Sequence, residues 1–187
     1  MVSNAQIGEL IVGAYHKIIT DAEVVSYNSR SKRDGAQMEI DVVAIDSSDG
    51  TQTVYACEVI THLNGSAYSG TPETDKWDDY GNDSYQYSLE KLESKFRSDY
   101  DYVSRVFDDA DEYVLQLWAP SLSDGHLTDG LAQLSSEFEA EYELPIERVV
   151  NETYTARVEE LRSLAAEETK AYGEPAFRFL QILEQLR

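Results

Sequence analysis

The chain has 187 residues, enough for one domain with a sizeable core, and its 36 acidic against 15 basic residues give a formal net charge of −21. The acids run through the whole length, which excludes an acidic tail on an ordinary domain and fits a surface adapted to molar salt, where screening shortens to a few ångström. A single cysteine, Cys57, excludes an intramolecular disulfide framework and a Cys-rich zinc site.

Only six of the bases are lysine, and the balance as a whole matches the cytoplasm of a halophilic archaeon. No leader-like segment and no long apolar run is read, so a cytoplasmic protein without a membrane partner is expected. In ordinary salt such a charge argues against nucleic acid. In molar salt phosphate contacts are weakened everywhere, and local clusters of bases count for more than the total.

In chain order, residues 4–19 read as a helix capped by Ser3 or Asn4, with Ile7, Leu10, Ile11, Ala14 and Ile18 at helical spacing. Glu9 lies at the edge of that stripe, and His16 is expected at the surface or its boundary. Residues 23–28 (EVVSYN) read as a strand. Arg30, Lys32 and Arg33 follow, before an Asp34-Gly35 turn. These bases suit either a phosphate-contacting loop or a charged hairpin tip that keeps the sheet soluble.

Residues 37–62 read as two central strands around a Ser-, Asp- and Gly-rich loop, a hairpin signature. Period-two alternation places Glu39, Asp41, Val43 and Ile45 on one face of the first, and Ala56, Glu58, Ile60 and His62 on one face of the second. Residues 64–87 form a Gly-, Ser-, Tyr- and Asp-rich stretch, either a mobile flap or a surface insertion, whose Tyr68, Trp77, Tyr80, Tyr85 and Tyr87 could stack on unpaired bases or pack the loop.

Ser88 is expected to cap a helix to about residue 108, with Leu89, Leu92, Phe96, Val103 and Phe107 inward and Lys91 and Lys95 offset from that stripe. Residues 112–119 read as a strand, a helix follows with Leu127, Leu131, Leu134 and Phe138, and residues 145–150 read as another strand. That run implies a right-handed parallel crossover. A helix over 152–168 turns Val158, Leu161 and Leu164 or Ala165 inward. Tyr172-Gly173 ends it, and Pro175 opens a last helix that buries Phe177, Leu180, Leu183 and Leu186. The order gives one α/β domain over 1–187 around a mixed five-stranded sheet flanked by helices.

Asp41 and Glu58 sit inside apolar strands, where a charge is costly unless paired or bound to a cation. Mg²⁺, or Mn²⁺ in its place, takes one or two carboxylates plus water and substrate phosphate, and can turn water into hydroxide near neutral pH. The same pair can also be read as polar residues without a ligand.

Helix Glu9, strand Asp41 and strand Glu58-Val59-Ile60, in the element order αβββαβ, resemble the PD-(D/E)XK nuclease superfamily, which includes restriction endonucleases and archaeal Holliday-junction resolvases. The resemblance covers residues 1–120, with 121–187 as an α/β extension. It implies a restriction endonuclease-like core and a metal-dependent hydrolase that cuts DNA. Asp41 and Glu58 would be metal ligands, with Glu9 adding a carboxylate. Arg30, Lys32 and Arg33 would hold the backbone. A homodimer also fits, since many such nucleases work as dimers. Ile60 stands where the family has its catalytic lysine. In some members that lysine migrates to the following helix, which makes Lys91, then Lys95, the candidates here, with His62 as a metal ligand or base. Two rivals follow: a catalytically inactive nucleic-acid-binding or interaction module, and a docking protein with no nucleic-acid role.

Overall fold

The computed structural model describes residues 6–31, 38–72 and 83–187. Helix α1 (Ile7–Ile18) leads into three strands, β1 (Val24–Ser31), β2 (Met38–Asp46) and β3 (Thr53–Val59). Helix α2 (Asp83–Val106), strand β4 (Glu112–Ala119), helix α3 (His126–Tyr142), strand β5 (Ile146–Val150) and helices α4 (Glu152–Glu167) and α5 (Pro175–Gln185) complete the chain. The sheet order is β1-β2-β3-β4-β5, antiparallel across the first three strands and parallel from β3 to β5. This is the α/β arrangement with a mixed five-stranded sheet expected from the element order.

Period two sorts β3 and β4 cleanly between the two sides of the sheet. Val54, Ala56, Leu115 and Leu117 join the core under α2 and α3, while Cys57 and Trp118 join Val12 and Tyr15 of α1. Helix α5 lies outside α1 and α4 through Ala14, Leu161, Ala165, Phe177 and Leu180. Arg97 of α2 ties that helix to α3: its guanidinium donates to Glu141 and to the Tyr142 hydroxyl, each at 2.8 Å, and stacks over Phe138. Among the described residues no helix is long and apolar enough to cross a membrane.

Several local readings are corrected. The inward stripe of α1 is rotated: Ile7 is exposed, and Gly8, Glu9, Val12, Gly13, Tyr15 and His16 are buried. The helix is covered on two sides, so Leu10, Ile11, Ala14 and Ile18 face α4 and α5 while another face meets the sheet. Gly8 permits this close approach, because a Cβ there would collide with the Thr61 side chain. His16, expected near the surface, is fully buried.

Ser88 caps nothing. Helix α2 starts five residues earlier, at Asp83, and the Ser88 hydroxyl instead donates to the Tyr68 carbonyl at 3.0 Å. Tyr68 and Tyr85 pack on the main core. On α5, Phe177 and Leu180 are buried, but Leu183 and Leu186 are exposed. Ser3, Asn4, Lys32, Arg33, Trp77 and Tyr80 lie outside the described residues.

Candidate active site at a fork in the sheet

The β2–β3 ladder runs from Asp46↔Thr53 to Val42↔Cys57 and stops. The next pair in that register would be Asp41 and Glu58. At this point the strands part, and the Asp41 carboxylate takes over the broken ladder: its Oδ2 accepts the Val59 N–H at 2.8 Å. A backbone donor left bare at the fork would be costly, so the side chain repairs the sheet where its pairing ends.

The same residue marks a slip in β2. Val43 faces the α2 side and Val42 the α1 side, as alternation requires, but Ile40 then rejoins the α2 side with Met38. Glu39 therefore does not continue the face of Val43 and Ile45. The slip falls opposite Asn28 of β1, which takes a left-handed φ of 52° and interrupts the β1–β2 ladder between Tyr27↔Val42 and Ser29↔Ile40. Asparagine tolerates that conformation better than most side chains.

The fork opens into a cavity of about 560 Å³ between the N-terminal end of α1, the β1–β2 pair and the middle of α2. Its wall carries Glu9, Glu39, Asp41 and Asp99 against the bases Arg30 and Lys95. Glu9 is held by its place in the first turn of α1, where Oε2 accepts the Gln6 N–H and the Asn28 side-chain amide, both at 2.9 Å. Arg30 is paired with Glu39 at 2.6 Å. Glu58, on the α2 face of β3, is fully buried and is not part of the cavity wall among the described residues.

Ile60 is buried in the core, so β3 carries no lysine beside Glu58. Lys95 of α2 pairs with Glu58 Oε2. Lys91, the first choice from sequence, is one turn away, with its amine over the Tyr87 ring at 5.4 Å. His62 is exposed and lies beyond β3, which ends at Val59, so the strand face it was assigned to does not extend that far. Sequence reasoning missed Asp99, one helical turn after Lys95 and 1% exposed. The i, i+4 spacing from Lys95 was the signal available for it.

Burial raises the pKa of three carboxylates here. For Asp41 it outweighs the lowering by Lys95 and by the Val59 N–H, and Glu39 adds to the rise. For Glu9 it outweighs the Gln6 and Asn28 hydrogen bonds, and Asp41 and Glu39 act with it. Asp99 is pushed well above the usual carboxylate range, first by burial and also by Asp41, against the pull of Lys95.

Among the described residues no three His, Cys, Asp or Glu side chains converge as a preformed metal group. Two buried acceptors, Glu58 Oε1 and Asp99 Oδ2, have no hydrogen-bond partner there. Such oxygens are costly when left bare, and a hard cation that needs only one or two carboxylates is chemically suited to them. Comparison with protein-family models, with curated proteins and with solved structures returned no match to this chain.

Proposed function

We propose that the chain is a PD-(D/E)XK-like, Mg²⁺-dependent endonuclease acting on DNA, in repair, recombination or defence, with a restriction endonuclease-like core. The observation that supports it best is the meeting of Asp41, Glu58 and Lys95 at the sheet fork, with the lysine delivered from α2 in place of Ile60. Asp41 and Glu58 would hold the cation, with Glu9 beside them at the cavity wall. When bound, the cation would polarise a phosphoryl oxygen and lower the pKa of a water.

The chain's own residues do the remaining work in this reading. Asp41 fixes the fork and aims a carboxylate into the cavity. Lys95 supplies the positive charge that the scissile phosphate needs, on a helix clamped by Arg97. Arg30 offers a further base at the rim if a phosphate competes with Glu39 for it. A homodimer and a halophilic cytoplasm remain part of this reading.

Asp41→Ala is expected to lower Mg²⁺-dependent cleavage of plasmid and branched DNA by at least about a hundredfold, the scale of losses at metal sites. Circular dichroism should show a retained fold. Full activity in that variant would sink the proposal. The alternative, a catalytically inactive nucleic-acid-binding module, draws on one observation: Glu58 is already neutralised by Lys95. DNA binding by the wild type with no cutting in Mg²⁺ or Mn²⁺ would favour it.

A further inference from the structure

Lys95 stands between Glu58 and the cavity. Its side chain is 33% exposed and lines the wall, whereas the Glu58 side chain it pairs with is 0% exposed. A cation entering from the cavity therefore meets the ammonium before the carboxylate. Two positive charges at one buried carboxylate repel each other. The ammonium then needs another anion within reach of its tether.

Asp99 is placed to be that anion. It lies four residues on from Lys95 in α2, and Cα–Cβ bonds in a helix tilt towards the N-terminus, so it leans back towards Lys95. It is buried, lines the cavity, and its Oδ2 has no hydrogen-bond partner among the described residues. The other wall carboxylates have work already: Glu9 binds Gln6 and Asn28, Glu39 pairs with Arg30, and Asp41 binds Val59.

We propose that Asp99 is a positioning residue for Lys95: when a divalent cation takes the Glu58 carboxylate, the Lys95 ammonium moves one turn along α2 and is held by Asp99 at the cavity wall. The inference rests on the cation-binding reading above. In the cation-free protein Lys95 is a placeholder that keeps buried Glu58 compensated. In the loaded protein Asp99 keeps the same ammonium inside the cavity, where a phosphate would meet it, and not out in solvent.

The test is a calorimetric Mg²⁺ titration of the full chain in molar KCl, on wild type, Asp99→Asn, Lys95→Met and the double variant. Asp99→Asn should weaken Mg²⁺ binding about tenfold with Lys95 present and less than about twofold in the Lys95→Met background, the signature of direct coupling. Unchanged affinity in Asp99→Asn overturns the inference, as does equal weakening in both backgrounds, which would make Asp99 a ligand itself. A second readout does not need Lys95→Met to fold. The Lys95 side-chain NMR signal should move when Mg²⁺ is added to wild type, and move to a different position in Asp99→Asn. A Lys95 signal that stays in place in wild type also overturns it. If wild type binds no Mg²⁺, or binds it equally well as Glu58→Gln, the cation reading itself fails and takes this inference with it.

Discussion

Two buried polar clusters sit on opposite faces of the sheet, and they solve the same problem in opposite ways. On the α1 face, Gln116 gathers its neighbours into a closed set. Its Oε1 meets His16 Nε2 at 2.9 Å, Trp118 Nε1 at 2.8 Å and Cys57 Sγ at 3.3 Å, and its Nε2 donates to Glu147 at 2.6 Å. Burial holds His16 neutral, with its pKa lowered to about 4, and holds the Cys57 thiol well above its ordinary value. On the α2 face the Lys95–Glu58 ion pair is kept, and among the described residues two carboxylate oxygens there, Glu58 Oε1 and Asp99 Oδ2, stay bare. A closed network whose buried members are neutral rigidifies a core. An open one with perturbed carboxylates is the arrangement that functional sites are enriched in.

That contrast can be broken from either side. The largest effect is expected from Gln116→Leu, which leaves His16, Cys57 and Trp118 without their common acceptor. Unfolding in denaturant should show a loss of about 3 kcal/mol or more, from several buried donors at once. A loss within the range of an ordinary surface substitution would mean the network is not cooperative.

Next comes the pH response. His16 has a folded pKa below its unfolded value of 6.5, with burial as the main cause and Arg157 acting the same way. Its contribution is complete above that unfolded value and is lost as pH falls towards about 4, up to roughly 3 kcal/mol. Denaturation curves across that window should flatten in His16→Asn. The fork carboxylates run the other way. Asp99 holds its proton more tightly folded than unfolded, so its contribution is complete at acid pH and is lost as pH rises through its raised folded pKa. Asp99→Asn should therefore stabilise the cation-free protein at neutral pH by roughly 1 kcal/mol, with the gain fading towards pH about 4. A destabilised Asp99→Asn would show that Asp99 already belongs to a satisfied set.

The order of elements was legible because each carries a strong local signal: apolar spacing in the helices, alternation in β3 and β4, and Pro175 at the start of α5. What failed was set by tertiary context. The α1 stripe was misplaced because a helix covered on two sides has no single apolar face. His16 looked like a surface residue because its partners, Cys57 and Gln116, are 41 and 100 positions away. Asp41 and Glu58 stood out as charges in apolar strands, but the fork between them did not, because the point where the β2–β3 ladder stops is set by tertiary packing and carries no local signal. Lys91 and Lys95 lie one turn apart, and only the packing of α2 on the sheet separates them.

Arg97 lies between Lys95 and Asp99 in sequence and fastens α2 to α3 through Glu141, Tyr142 and Phe138. With the helix anchored at that point, an ammonium passing from one carboxylate to another must travel by rotation about its own side-chain bonds, without sliding of the backbone. Rotamer changes of exposed side chains take picoseconds to nanoseconds, and shifts of helices take microseconds to milliseconds. On the cation-binding reading, opening of the Glu58 carboxylate would need no rearrangement of the fold around it.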